Sequence, residues 1–245
     1  KIVPLRIVSA ESGLKDNAIP ASARAVLAVE PAKLPAVQTR VSGLEAAFRA
    51  EHAVSDPGLT LTVRSGNPAP SALTEAAGKT VVQFLQLVPN GIVSMSMDIP
   101  GLVQTSSNLG IFHVADGLLV ARASVRSSVA SEKEMLLERF ATLCAMLGAS
   151  MEITGNYPAW EYKRDSALRD TMVRVFTEQY GHAPKIEAIH AGLECGLFSG
   201  KLPGLDCVSF GPDLVDIHTA REKMSISSVQ RTWKFLLGVL EALKD

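Results

Sequence analysis

The order of hydrophobic and polar residues changes in kind near residue 155. Before that point, alternating apolar residues predict β-strands, and apolar residues at three- and four-residue spacing predict amphipathic helices. The predicted strands are 2–8, 23–29, 59–64, 104–114, 118–127 and 149–153, and the predicted helices are 34–54, 132–147 and one that opens at Ser71. This order is typical of an α+β domain, an antiparallel sheet with helices, over residues 1–154.

Turn and cap residues support these boundaries. Asp116-Gly117 stands between two alternating apolar runs, which is a strong signal for a two-residue β-hairpin turn. Ser71 and Ser131 are each predicted as the N-cap of the helix that follows. Acidic residues in the first turn after Ser131 suit the positive end of a helix dipole.

From residue 155 onward, short and wholly apolar runs alternate with helical patterns. The predicted strands are 185–189 and 205–210, and the predicted helices are 166–180, 192–198 and 225–243. Strands that are apolar on both faces indicate a parallel sheet covered by helices. Two such strands make a thin domain, so residues 155–245 are predicted to be an α/β segment of a larger domain. We therefore expect the run 205–210, or its neighbour, to lack a partner strand or to recruit one from another chain.

Composition and charge narrow the functional classes. The 245 residues hold 24 basic and 25 acidic side chains, a net charge of −1, so the chain has no surplus of positive charge to hold nucleic acid. No apolar run reaches the ~18 residues that a membrane span requires. The cysteine count of three is odd and unevenly spaced, which favours a reducing cytoplasm and a packing role for Cys195 and Cys207.

Groups with candidate chemistry follow the predicted strands of the second segment. Ligands bind at the carboxyl ends of strands in α/β sheets, and Gly192, before a predicted helix, lets backbone N–H groups approach an anion. His218 lies in a loop with Asp216 and Glu222, where a neutral imidazole can hold a divalent metal and a carboxylate can orient it. From spacing alone, an ordinary loop histidine is the more common explanation of this pattern.

Several runs together resemble one family. In the second segment they are Gly155-Asn156-Tyr157-Pro158, Ile189-His190-Ala191-Gly192-Leu193-Glu194-Cys195-Gly196, Ser209-Phe210-Gly211-Pro212, His218-Thr219 with Glu222, and Ser225-Ile226-Ser227-Ser228-Val229. In the first segment they are Asn17-Ala18-Ile19-Pro20, Ser106-Ser107-Asn108-Leu109-Gly110 and Val125-Arg126-Ser127-Ser128. With these runs, essentially the whole chain resembles the C-terminal portion of the aminoacyl-histidine dipeptidases, also called Xaa-His or carnosinase-like dipeptidases, of the M20 zinc peptidases.

The resemblance implies a catalytic α/β domain interrupted by a lid. Residues 1–154 would be an N-terminally incomplete lid or dimerisation domain, and residues 155–245 the C-terminal part of the catalytic zinc-peptidase domain. It implies two Zn²⁺ ions, with His218 as the last metal ligand. The other ligands and the general base belong to the family's N-terminal part. This chain has no His-x-Asp segment, so we expect no catalytic residue in it and no hydrolysis by the chain alone.

The resemblance also implies substrate-binding residues. These are Asn17, whose amide would hydrogen-bond the substrate, Arg126, which would clamp its terminal carboxylate, and the loop residues Gly192 and Glu194. Glu222 matches the family's acidic position after the histidine. It would orient the imidazole of His218 without binding the metal itself. Ala220-Arg221 stands where the family commonly has Pro-Asp, so the shape of this loop departs from the pattern.

The expected partners are a dipeptide substrate and a second copy in a homodimer, in the cytoplasm. Two alternatives stay open at the level of sequence. One is another M20-type hydrolase, such as a tripeptidase or a deacetylase. The other is a non-catalytic lid module that serves dimerisation.

Overall fold

The computed structural model describes residues 4–188, 194–217 and 219–244. The strands are β1 Leu5–Ser12, β2 Ala23–Val29, β3 Gly91–Met95, β4 Val103–Ala115, β5 Leu118–Ser127, β6 Leu214–Val215 and β7 Lys223–Met224. The helices are α1 Leu34–Glu51, α2 Glu75–Leu87, α3 Ala130–Leu147, α4 Ala167–Tyr180, α5 Glu194–Lys201 and α6 Ile226–Ala242.

The main sheet has the strand order β2-β1-β4-β3, and β5 pairs with β4. β1 runs antiparallel to both neighbours: Leu5 lies opposite Val29 in β2, and Ala10 lies opposite Val114 in β4. An antiparallel sheet with helices confirms the α+β class predicted for the first segment. The hairpin is also confirmed, since Asp116 (φ 52°) and Gly117 (φ 77°) both take the positive φ of a type I′ turn.

The chain divides into two compact units. Unit one contains the described residues of Lys1–Gly91, Ser107–Ser124 and Arg139–Met151, and unit two those of Ile92–Ser106, Val125–Glu138 and Glu152–Asp245. The core of unit one joins α2, β4 and α3 through the buried side chains Val81, Phe84, Val88, Phe112, Val114 and Leu143. This core explains the apolar spacing of α2, which buries one face against the sheet.

The core of unit two is the packing of α4 on α6. Its buried side chains are Met172, Val175, Phe235 and Val239. The Phe235 ring meets Phe176 edge-on at 5.5 Å and Phe210 at 5.3 Å between centroids, a favoured aromatic geometry. Gly181 at φ 76° ends α4 in the left-handed conformation typical of a helix C-terminus.

Several predicted strands are wrong in the described residues. The runs 59–64, 149–153 and 205–210 and the described residues 185–188 form no strand. A strand requires a hydrogen-bonded neighbour, and apolar alternation alone does not supply one. The second segment instead contains the short antiparallel pair β6–β7, while β3 was not predicted. The run 205–210 has no strand beside it among the residues described, and its pairing with another chain stays a prediction.

Helix boundaries follow the predicted ones to within a few residues, with one exception. α2 begins at Glu75, and its N-cap is Thr74, which accepts a hydrogen bond from Ala77 N, so the prediction of Ser71 as cap is wrong. The prediction of Ser131 as cap is also wrong, because α3 begins one residue earlier, at Ala130. Ser166 and Ser225 cap α4 and α6. In the described ranges, no helix is both long and apolar enough to cross a membrane. The domain boundary at 154/155 stays a prediction.

Candidate functional site

Asn17 lies in an exposed turn. A side chain of β4 holds the turn backbone just before and just after this residue. The Asn108 side chain of β4 donates one hydrogen bond to the Asp16 carbonyl (2.8 Å) and another to the Ala18 carbonyl (2.9 Å). The backbone is therefore fixed immediately before and after Asn17, while the Asn17 residue itself is exposed. Two runs that the family resemblance rests on, one around Asn17 and one around Asn108, are brought together here.

Two glycines make this close approach possible. A Cβ on Gly13, which has φ 74°, would lie 1.8 Å from the Gly110 carbonyl oxygen. A Cβ on Gly110 would lie 2.2 Å from the Asp16 carbonyl oxygen. Only hydrogen fits at either position, so the turn can rest directly on β4. Leu109 N also donates to the Asn90 side chain at 2.8 Å, which fixes β4 on its other side.

Arg126 is half-buried near the end of β5, next to a polar network around Glu132. The Glu132 carboxylate accepts hydrogen bonds from Ser94 (2.5 Å), Gln104 (2.8 Å) and Thr105. These bonds, led by the one from Ser94, hold the pKa of Glu132 below its usual value, although burial opposes them. Thr105 is fully buried and also bonds Ser127 at 2.8 Å, so the strand end that carries Arg126 is firmly held.

A second contact joins the Gly155–Pro158 run to α3 and α5. Lys133 of α3 donates to the Asn156 side chain (2.9 Å) and to the Tyr157 carbonyl (2.7 Å). Gly196 and Gly200 of α5, one turn apart, face Pro158, and a Cβ on Gly200 would lie 2.6 Å from the proline ring. The helix therefore packs closely on this run.

Glu194 is the first residue of α5 and is exposed. Its position follows from where α5 begins and is not evidence that Glu194 contacts a substrate. Gly192, the other predicted substrate-loop residue, lies outside the described residues.

Glu222 and the surroundings of position 218 lie in the connection between β6 and β7. The Thr219 hydroxyl donates to the Asp216 carbonyl at 2.7 Å, and Glu222 N donates to the Thr219 carbonyl at 3.2 Å. At the base of the hairpin, Arg231 of α6 pairs with Asp213 at 3.1 Å. Glu222 is exposed, and the predicted metal ligand His218 lies outside the described residues.

The metal prediction is not tested by these positions. Within 4–188, 194–217 and 219–244, no group of three or more His, Cys, Asp and Glu side chains could hold a metal ion. The described side chains therefore do not form a zinc centre by themselves.

Sequence reasoning missed two residues that organise the site. Asn108 fixes the turn of Asn17, and Glu132 fixes the strand ends beside Arg126. A signal for Glu132 was present, because β4 opens with the polar run 104–108, and the buried side chains of such a run need hydrogen-bond partners. Asn108 gave no such signal, since its partners are carbonyl groups about 90 residues earlier in the chain.

Comparison with known proteins places these contacts in context. No protein-family model matches the chain. The chain is 30% identical to the cytosol non-specific dipeptidase of Escherichia coli (strain K12) over 239 residues, which are 98% of this chain and 49% of that protein. Its structure superposes on aminoacylhistidine dipeptidase from Vibrio alginolyticus with a TM-score of 0.92 and 28% identity, again over 98% of this chain and 49% of the other.

The chain is a homologue of these dipeptidases. It spans about half the length of the dipeptidase relatives it matches. Aminopeptidase PepT from Bacillus cereus ATCC 10987 shares the fold more loosely, with a TM-score of 0.55 and 18% identity over 68% of this chain and 45% of the other. The resemblance stated from motifs is thus confirmed, whereas the individual site residues are not tested by it.

Proposed function

We propose that this chain contributes the dipeptide-binding groups and one metal-ligating histidine to a two-metal dipeptidase. The observation that carries the proposal is homology to two dipeptidases along 98% of the chain. The other metal ligands and the general base would come from the half of the dipeptidase fold that this chain does not match. In this proposal the protein acts in the cytoplasm, as the name of the Escherichia coli relative says of that protein, and forms a homodimer.

In this proposal Asn17 and Arg126 are each substrate-binding residues, as the family resemblance implies. The Asn17 amide projects from a turn whose backbone is fixed on both sides, so it is a preorganised hydrogen-bonding group. The Arg126 guanidinium can clamp the terminal carboxylate of a dipeptide with two parallel hydrogen bonds. Gly192 and Glu194 would form the loop over the peptide backbone. Such a clamp selects a substrate with a free C-terminal carboxylate over one with a C-terminal amide.

His218 would hold one metal ion, and Glu222 would orient its imidazole from behind. When bound, two zinc ions supply a water of lowered pKa for attack on the peptide carbonyl. The described residues of this chain contribute binding and orientation only. For that reason we expect the chain alone, supplied with Zn²⁺, to hydrolyse no Xaa-His dipeptide.

Arg126 provides the sharpest test in the intact gene product that contains this sequence. Charge-assisted hydrogen bonds contribute about 1.5–3 kcal/mol, so R126A should lower kcat/KM for an Xaa-His dipeptide by about 10–100-fold. The loss should be much smaller for the same dipeptide with a C-terminal amide. R126K keeps the positive charge but cannot make two parallel hydrogen bonds. Its kcat/KM should therefore lie between those of the wild type and R126A.

Arg122 is the matched control, because it lies four residues earlier on β5 and therefore on the same face of the strand. R122A should leave kcat/KM unchanged for both substrates. Equal losses for R122A and R126A, or for the acid and the amide, would contradict the carboxylate clamp. Hydrolysis of the dipeptide by this chain alone would contradict the proposal that the other metal ligands and the general base lie in the half of the dipeptidase fold that this chain does not match. A preference for acetylated substrates or tripeptides would instead favour another M20-type hydrolase.

A further inference from the structure

Two cysteines that the proposed function does not use lie together in unit two. Cys195 is in the first turn of α5, and Cys207 is in the irregular segment 205–210. Ser199 donates a hydrogen bond to the Cys207 sulfur at 3.9 Å. Residues four apart share one face of a helix, so Cys207 lies against the face that Cys195 and Ser199 form. The two thiols are near enough that Cys207 contributes to the raised pKa of Cys195.

Both thiols are free and partly accessible. Both cysteines are half-buried, so a small oxidant can reach them while neighbouring proteins cannot easily do so. Burial, followed by the nearby Cys207, raises the pKa of Cys195 above the ordinary value for a thiol. Cys195 therefore suits the role of the second thiol, which resolves an intermediate formed on Cys207.

We propose that Cys195 and Cys207 form a reversible intramolecular disulfide when the protein meets a hydroperoxide. The Cys207 thiolate attacks the distal oxygen of ROOH, the O–O bond breaks, and ROH leaves after taking a proton, which gives a sulfenic acid. The Cys195 sulfur then attacks the sulfenic sulfur, the S–S bond forms, and the oxygen leaves as water. In total, two thiols lose two electrons and two protons, and the hydroperoxide is reduced to ROH and water.

The disulfide would tie the beginning of α5 to the segment 205–210. The other side of α5 is already fixed, since Gly196 and Gly200 pack on Pro158. Oxidation would therefore hold α5, which begins at Glu194, between two anchors, and a reducing thiol would release it. The disulfide does not depend on the proposed peptidase function.

The test uses the whole chain, reduced, freed of reductant and exposed to a small excess of hydrogen peroxide. Disulfide formation removes two hydrogen atoms, so the intact mass should fall by about 2 Da and return after addition of a dithiol. Each cysteine lies in a different tryptic peptide, 140–163, 186–201 or 202–221. Without reduction, 186–201 should appear joined to 202–221.

Cys144, in α3 of unit one, provides the matched control. C144S should form the same crosslink, and C195S and C207S should each lose it. In C207S, Cys195 should remain a thiol in the presence of peroxide. In C195S, a trappable sulfenic acid should accumulate at Cys207. Oxygen adducts on separate cysteines in the wild-type chain without the 186–201 to 202–221 crosslink, or a crosslink that involves Cys144, would overturn the proposal. The wild-type peptide map decides the matter even if a variant fails to fold.

Discussion

At the scale of single residues, Glu132 is the group on which most polar contacts converge. Replacement by alanine leaves the buried Thr105 hydroxyl and the Gln104 amide without their carboxylate acceptor. We expect E132A to lower the free energy of unfolding by about 2–4 kcal/mol, measured by chemical denaturation. Glu134, exposed on the same helix, is the control, and E134A should change stability by less than about 0.5 kcal/mol. Equal effects would mean that the network contributes little.

The same carboxylate makes stability depend on pH. Its pKa is lower in the folded chain than in the unfolded chain, so the unfolded state binds the proton more tightly. The stabilisation is fully present above the unfolded pKa of about 4.3 and is lost as pH falls through the lower folded value. The stability difference between wild type and E132Q should therefore be constant from pH 7 to 5 and shrink below that. A difference that grows in acid would contradict this sign.

The contact between Gly110 and the turn of Asn17 leaves no space for a side chain. G110A would place a Cβ 2.2 Å from the Asp16 carbonyl oxygen, so the turn must move away from β4. We expect a loss of about 2–3 kcal/mol and faster amide exchange over residues 14–19. Gly43 in α1 is the control, because a Cβ at this position would meet no atom within 4 Å. G43A should therefore leave the stability unchanged or raise it slightly.

At the scale of elements, α6 is apolar on two opposite faces. Phe235 and Val239 are buried against α4, whereas Ile226, Trp233, Leu237 and Leu240 are exposed on the other face. F235A should lower the free energy of unfolding by about 3–5 kcal/mol, because it leaves a cavity among aromatic rings. W233A, on the face where the side chain is 60% exposed, should cost less than about 1 kcal/mol. The reverse order, measured by circular dichroism in denaturant, would show that the core face is assigned wrongly.

Elements whose signals are local were predictable, and those that depend on distant partners were not. The helix 166–180 has its own cap, Ser166, and its own C-terminal glycine, and the hairpin has Asp116-Gly117. The run 205–210 has the composition of a buried strand, but no neighbour pairs with it in the residues described. Its apolar residues are used otherwise, as in the contact of Phe210 with Phe235. Of the candidate site, residue types were predictable from motifs, but the contacts that hold them were not.

At the scale of the whole molecule, neither compact unit is a continuous stretch of chain. β4, β5 and α3 each begin in one unit and end in the other. Unfolding of either unit would interrupt these elements midway, so we expect one cooperative transition. The midpoints from far-ultraviolet circular dichroism and from the fluorescence of Trp160 and Trp233, both in unit two, should coincide. Two separated transitions would show that the units unfold independently.

This threading of the chain has an evolutionary consequence. The polypeptide passes from one unit to the other five times, at 91/92, 106/107, 124/125, 138/139 and 151/152. A gene-recombination event that exchanged one unit would have to replace three separate coding stretches while preserving the four junctions that lie inside a strand or a helix. Such a molecule can diverge by point substitution far more readily than by shuffling of modules.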